Sequence, residues 1–328
     1  MTYPTGWDGP GYYAAQLAPE TVGVDTAPPA ARTGIVPPRP LQIGDILSGA
    51  FHAVRFAPAT MFGLTLVTML VAQLLGTGLG LVIERQFGFT LLPSEDGDAL
   101  DAGLFGWSTI LGQVFTQLTA IVVGMGLTYT VFQAVSGRSV PPAEALRHMV
   151  GRLGAALGFS ALTALAVSAG GGLVFAMFVP VLGGDTGGLV VVAILAGLVT
   201  LVLAIWLGTK LLLAPSAIAV EGLGPIQAIP RSWTLTRGQF WRVLGIYLLA
   251  SMIIGFAAST VSSVFSFGAM LLSISDPGVL LLAVTIASTL TSSVLTVPLT
   301  TAVSTLLYVD ARIRREGYDL HLAEVLYG

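Results

Sequence analysis

Apolar residues along most of this chain run on almost without interruption, for lengths that match the roughly 20 residues a helix needs to cross a bilayer core. Six such runs predict transmembrane helices: Pro58 to Ile83, Trp107 to Val135, Leu153 to Val179, Leu189 to Leu213, Val243 to Met270 and Val279 to Leu307. Breaks rich in glycine, proline or acidic residues separate them, at Gly88 to Gly103, Gly137 to Pro142, Gly183 to Gly188, Pro215 to Pro230 and Asp276 to Gly278. The third and fourth runs are joined so tightly that they must form a hairpin, and the fifth and sixth are joined almost as tightly.

A different pattern precedes the odd-numbered runs. Ile43, Ile46, Leu47, Ala50, Phe51 and Val54 share one helical face, with Asp45, His52 and Arg55 on the other. Ala143, Leu146, Met149, Val150 and Leu153 repeat the arrangement against Glu144, Arg147 and Arg152. Ile226, Ile229 and Trp233 do so against Gln227, Arg231 and Arg237. The strings Ala134-Val135-Ser136-Gly137 and Ala219-Val220-Glu221-Gly222 also match, each followed by proline and the next such helix. A helix with one apolar and one basic face lies in the headgroup plane. The expected fold is an all-α integral membrane protein of six transmembrane helices arranged as three hairpins, each preceded by an interfacial amphipathic helix. That domain spans residues 41–308, between a Pro/Gly-rich tail over 1–40 and a C-terminal tail over 309–328.

Composition supports lipid as the main solvent. Of 328 residues, 54% are hydrophobic and 9% charged, against about 25% charged in an ordinary soluble domain. The first 40 residues have neither the basic start nor the apolar stretch of a signal peptide. Their Pro, Gly and Tyr content predicts a disordered leader, read either as a solvated tail or as a docking segment for an envelope or division partner. A net charge of −3 argues against nucleic-acid binding. The chain has no cysteine, which excludes disulfides and thiolate chemistry. His52, His148 and His321 have no ligand-spaced partners, so no metal site is expected. No nucleophile elbow, phosphate loop or dinucleotide fingerprint occurs, and neither an enzyme activity nor a cofactor is expected. The acidic loop Glu95-Asp96-Gly97-Asp98 with Asp101 lacks the ligand order of a calcium loop.

Charge then orients the spans. Of 14 basic residues, only Arg85 falls outside the segments before the first span, between the second and third, around the fourth-to-fifth loop and after the sixth. Cytoplasmic loops concentrate Lys and Arg, so both termini are expected in the cytoplasm, with the protein in the cell membrane. The candidate working face, for anionic lipid headgroups or a partner, comprises Lys210, Glu221, Arg231, Trp233, Arg237, Trp241, Arg242, Asp310, Arg312, Arg314 and Arg315. Arginine beside tryptophan at an interface suits anionic headgroups. Lys210, the sole lysine, has three readings: an anchor reaching for headgroups, an ion pair with Glu221 or Asp310, or a ligand group. The sixth span carries Thr285, Ser288, Thr289, Ser292, Thr296, Thr300 and Ser304, and the second carries Gln113 and Gln117 one turn apart. Both sets read as packing glue or as a polar pathway. Gly76 with Gly80, and Gly154 with Gly158, are pairs suited to close helix contact.

Three strings carry a family resemblance. Lys210-Leu211-Leu212-Leu213-Ala214-Pro215, then Val220-Glu221-Gly222-Leu223-Gly224-Pro225, then Arg231-Ser232-Trp233-Thr234-Leu235-Thr236-Arg237-Gly238-Gln239-Phe240-Trp241-Arg242 resemble an actinobacterial family of membrane proteins. That family is related to the membrane domain beside some glycerophosphoryl diester phosphodiesterases. The run from Leu307 to Leu320 is similar to its C-terminal signature, and Pro38 to Leu47 to its opening motif. The resemblance covers Arg39 to Leu322, implies six spans and supplies no catalytic residue. In that family the position of Lys210 is often arginine, which implies a retained cation. The expected function is a non-enzymatic scaffold or lipid-handling module of the cell envelope. A transporter or channel for a small solute or lipid is the alternative.

Overall fold

The computed structural model of the chain describes residues 39–87, 107–182, 188–272 and 277–317. The Pro/Gly-rich leader, the acidic loop at Glu95 to Asp101, Asp185, Asp276, His321 and the end of the C-terminal tail lie outside the described residues. Among those described, every regular element is helical. The chain forms α1 (Ile43–Phe56), a π-helical turn (Ala59–Gly63), α2 (Leu64–Phe87), α3 (Trp107–Val135), α4 (Pro142–Gly151) and α5 (Leu153–Leu182). It continues through α6 (Gly188–Leu211), α7 (Ala214–Glu221), α8 (Pro225–Thr236), α9 (Phe240–Leu272) and α10 (Pro277–Glu316). Six helical segments are long and apolar enough to cross a membrane: Ala59–Gln86, Trp107–Val135, Leu153–Gly172, Val190–Glu221, Phe240–Val264 and Ala283–Glu316. The chain is a multi-pass membrane protein.

Local chemistry sets the helix limits. Asp45 accepts the backbone N–H of Gln42 at 2.9 Å and so starts α1. Pro215 has no N–H to donate to the carbonyl of Leu211, and the fourth span breaks there into α6 and α7. The interruption leaves the Lys210 carbonyl to accept the Ser232 hydroxyl at 2.6 Å. Gly222, at φ 75°, ends α7 in a left-handed cap. The Arg152 guanidinium lies against it, so that a Cβ there would come within 2.5 Å of the arginine nitrogen.

The sixth span is the hub. Helix α10 is 40 residues long, about 60 Å at the α-helical rise, and touches α1, α2, α3, α7, α8 and α9. Helix α2 packs along α3, α5 against α6, and α9 against α10. The densest apolar packing lies at one end, where Leu41, Ile46, Leu127, Leu213, Ile218, Leu235 and Leu306 to Tyr308 are fully buried. We call this the capped end, because α1, α7 and α8 gather there. The two ends of the described chain meet in it, since Leu41 bonds directly to Asp310. Helix α6 is nearly bare by contrast, with Leu198, Val199 and Leu203 exposed, a surface that lipid rather than water must cover.

The three short helices turn only part of their apolar stripes, or none, toward the protein. Helix α1 buries Ile46, Gly49, Ala50, Ala53 and Val54, while Ile43 and Phe51 face outward. Helix α4 buries Ala145 and Met149, leaving Leu146 and Val150 exposed. In α8 the buried side is Ala228, Ser232, Leu235 and Thr236, and Ile226 is 76% exposed. Each buries small residues beside one or two large ones and leaves its other large apolar side chains to the surroundings.

His148 on α4 gives this end a pH response. Its ring stacks on Tyr129 at 4.2 Å, its Nδ1 is buried without a partner, and Tyr129 donates its hydroxyl to Glu144, which also pairs with Arg138. Burial first, and the Arg152 charge second, hold the His148 pKa below its ordinary 6.5. The unfolded chain therefore takes up this proton before the folded one does, and the His148 contribution is lost as pH falls from about 6.5 downward. Thermal unfolding in detergent between pH 7.5 and 5.5 is expected to show that loss. It should be absent in His148→Phe, which keeps the stacking; an identical slope in the variant would assign the effect elsewhere.

Candidate functional site

The capped end carries two ionic networks, organised by opposite faces of the last turns of α10. On one face, Tyr308 donates its hydroxyl to Glu221 at the end of α7. Glu221 is also held by Arg231 of α8, through Nε at 2.8 Å and a terminal nitrogen at 2.7 Å. Arg231 reaches on to Glu316, which pairs with Arg312 at 2.9 Å. The Arg312 guanidinium then lies 5.8 Å from the Tyr308 ring centre, closing a cycle of five side chains. Its hydrogen bond to Glu221 first, and that to Glu316 next, keep the Arg231 guanidinium more firmly protonated than an isolated one.

On the other face, Asp310 is almost fully enclosed, its side chain 3% exposed. It accepts the Leu41 backbone N–H at 2.8 Å, Arg242 at 3.1 Å and Arg314 Nε at 3.0 Å. Both arginines also donate to the Leu41 carbonyl. One carboxylate and one backbone unit thus join the start of α1 to α9 and α10. The spacing of Asp310 to Arg314 and of Arg312 to Glu316 is i to i+4, the register at which helix side chains meet.

Lys210 enters neither network. Both candidate carboxylates are filled by arginines, whose planar forks grip a carboxylate by two bonds where an ammonium offers only a point charge. Among the described residues Lys210 forms no ion pair. Its ammonium lies 5.3 Å from the Trp233 ring centre and 5.7 Å from that of Phe240, with Trp206 edge-on to Trp233 at 5.2 Å. The side chain is buried and held by cation–π contact. Of the three readings of Lys210, the ion pair with Glu221 or Asp310 is the one this arrangement does not form.

The expected basic face is therefore divided. Arg231, Arg242, Arg312 and Arg314 are consumed by Glu221, Asp310 and Glu316. Arg55, Arg147, Arg152, Arg237 and Arg315 make no ion pair among the described residues. Arg315 lies against the turn between α8 and α9, near Gly238. Arg237 precedes that glycine, and Trp241 stands 81% exposed three residues after it. Sequence reasoning overlooked the hydroxyl of Tyr308, the carboxylate of Glu316 and the backbone of Leu41. Only Glu316 had a usable signal, its i to i+4 spacing from Arg312.

A chamber of about 250 Å³ lies at the break between α6 and α7, with Leu212, Pro215, Tyr247, Thr300 and Ser304 on its walls. Among the described residues no group of His, Asp or Glu is arranged to hold a metal ion. The model of DUF7847, a domain of unknown function, matches residues 41–311. The chain belongs to this family. No curated protein and no solved structure matches it. The DUF7847 domain begins at Leu41 and ends at Ala311, one residue past Asp310. Its two limits are therefore brought together by the Leu41–Asp310 bond. Glu221, Arg231 and Tyr308 fall inside it, whereas Arg312, Arg314 and Glu316 lie just beyond.

Proposed function

We propose that this DUF7847 protein is a non-enzymatic lipid-handling module of the cell membrane, which takes anionic headgroups at its capped end. In this reading the capped end and both termini face the cytoplasm, because nearly all the positive charge is there. The spans form three hairpins, and α1, α4 and α8 lie in the headgroup layer with Ile43, Phe51, Leu146, Val150 and Ile226 dipping into lipid. Kinship to the membrane domain beside glycerophosphoryl diester phosphodiesterases belongs to the same proposal and is carried by the residue strings quoted above.

One observation carries it. Arginines that serve the architecture are locked to carboxylates, while Arg237 and Arg315 are left unpaired among the described residues, beside the exposed Trp241. An unpaired cation next to an exposed indole meets the two demands of a headgroup, charge outside and a partly apolar boundary beneath. Native mass spectrometry of detergent-purified protein, offered equal phosphatidylglycerol and phosphatidylcholine, is expected to show preferential retention of the anionic lipid. Arg237→Ala and Arg315→Ala should each weaken it by about 1 kcal/mol, roughly fivefold. Equal retention of the two lipids by the unmodified chain would refute the proposal.

A further inference from the structure

The chamber at the α6–α7 break is one of three adjoining cavities. It shares Ala120 and Val297 with a cleft of about 680 Å³. That cleft shares Gln113 and Thr289 with a water-sized space of about 20 Å³ near Ser108 and Thr285. Along α10 the walls run from Thr285 through Thr289, Ser292, Thr296 and Thr300 to Ser304. The nineteen residue steps between Thr285 and Ser304 cover about 28 Å of helix, close to the roughly 30 Å hydrocarbon thickness of a bilayer.

From Thr289 to Ser304 the hydroxyls of this stripe make no hydrogen bond to another helix among the described residues. Thr300 and Ser304 donate to carbonyls of their own helix, at 2.7 and 3.0 Å, which leaves their oxygens free to accept. The side chains of Thr289, Ser292 and Thr296 form no hydrogen bond to another described residue, nor do those of Gln113 and Gln117 on the facing wall. A primary amide or hydroxyl left unbonded in hydrocarbon is strongly unfavourable, so the lining favours a polar occupant.

The lining also selects among occupants. Among the described residues no charged side chain borders any of the three cavities, so a bare ion would meet no countercharge there. The cleft is open sideways between α3 and α9, where Gln113, Gln117, Ser259 and Ser263 are exposed at its rim. A free solute would not be shielded from lipid in such an opening, whereas a lipid could keep its head on the hydroxyls and its tails outside. We propose that this cleft is a transbilayer track for the headgroup of a bilayer lipid with a zwitterionic or hydroxyl-rich head. The inference rests on the lipid-handling reading and adds a place and a direction of movement to it.

The test is transfer between leaflets. The full chain is reconstituted into phosphatidylcholine–phosphatidylglycerol vesicles with a trace of acyl-chain-labelled nitrobenzoxadiazole phosphatidylcholine, and dithionite is added to bleach outward-facing dye. The protein is expected to expose inner-leaflet dye to bleaching, and the triple variant Thr289→Leu, Ser292→Leu, Thr296→Leu should slow this roughly tenfold or more, the equivalent of a modest added barrier. Ser292→Cys gives a cysteine-free chain its one thiol; a bulky alkyl methanethiosulfonate should block transfer in the folded protein, and reductant should restore it. Absence of transfer by the unmodified chain overturns the inference, as does transfer indifferent to both changes. Escape of an entrapped uncharged sugar would make the cleft a solute pore, and rapid disulfide dimers of Ser259→Cys would make it an interface between copies; either result also overturns it. Retained phosphatidylglycerol preference without transfer removes the track alone, whereas loss of both removes the lipid-handling reading as well.

Discussion

Replacing Asp310 by alanine is expected to destabilise the protein by about 3–5 kcal/mol, the cost of removing one partner from a buried charge cluster. Three groups lose their acceptor together: Arg242, Arg314 and the backbone N–H of Leu41. Leu41 is itself fully buried, so water cannot readily replace the carboxylate. Arg242 already carries a buried Nε without a partner, and its guanidinium would keep only the Leu41 carbonyl as an acceptor among the described residues. The expected readout is a large drop in the thermal midpoint of detergent-solubilised protein, with faster trypsin cleavage after Arg55 as α1 detaches from α10. Asp310→Asn, which can still accept from Leu41 but has lost its charge, should fall between alanine and the native chain. If Asp310→Ala melted with the native protein, the cluster would be a surface ornament, worth as little as an exposed ion pair.

The Asp310 cluster also marks where sequence reading stops. The six spans are legible because a run of some 20 apolar residues is nearly self-sufficient as a signal. The location of the candidate residues at one end is legible too, since charge is costly elsewhere. Their pairings are not. Asp310 meets a residue 269 positions away through a backbone amide, and a backbone amide has no side-chain signature. Tyr308 finds Glu221 across 87 positions, and neither residue predicts the other. The protein-facing side of the short helices is not legible either: in α8 it is Ala228, Ser232, Leu235 and Thr236, while Ile226 is left exposed. In water, hydrophobicity identifies the buried side of a helix. Beside a bilayer it cannot, because lipid accepts large apolar residues as readily as protein does, and close packing is left to small ones. The same reasoning explains the sixth span: a hydroxyl stripe reads alike whether it faces another helix or a cleft, and only the packing of α3 and α9 around α10 distinguishes them.

Close packing is most demanding between α2 and α3, and there a single methyl group should suffice to disturb it. A Cβ on Gly80 would overlap the backbone of Ser108 and the carbonyl of Trp107, and one on Gly76 would stand 2.6 Å from the Leu111 carbonyl oxygen. Backbone cannot rotate aside as a side chain can, so the helices must separate. Separation strains two polar links across the same seam. Glu84 accepts the Ser108 N–H at 2.8 Å and its hydroxyl at 3.0 Å, and Thr116 donates to Gln73. Gly80→Ala is therefore expected to destabilise by about 1–3 kcal/mol, the usual range for overpacking, and a larger residue by more. Gly78→Ala is the control, since nothing lies within 4 Å of its added methyl; with alanine the better helix former, it should be neutral or slightly stabilising in the same melting assay. The contrast isolates contact from propensity, because both substitutions exchange glycine for alanine in one helix two residues apart. Equal midpoints for the two variants would mean that the α2–α3 seam yields without cost, and the close approach at Gly76 and Gly80 would then be incidental to the fold.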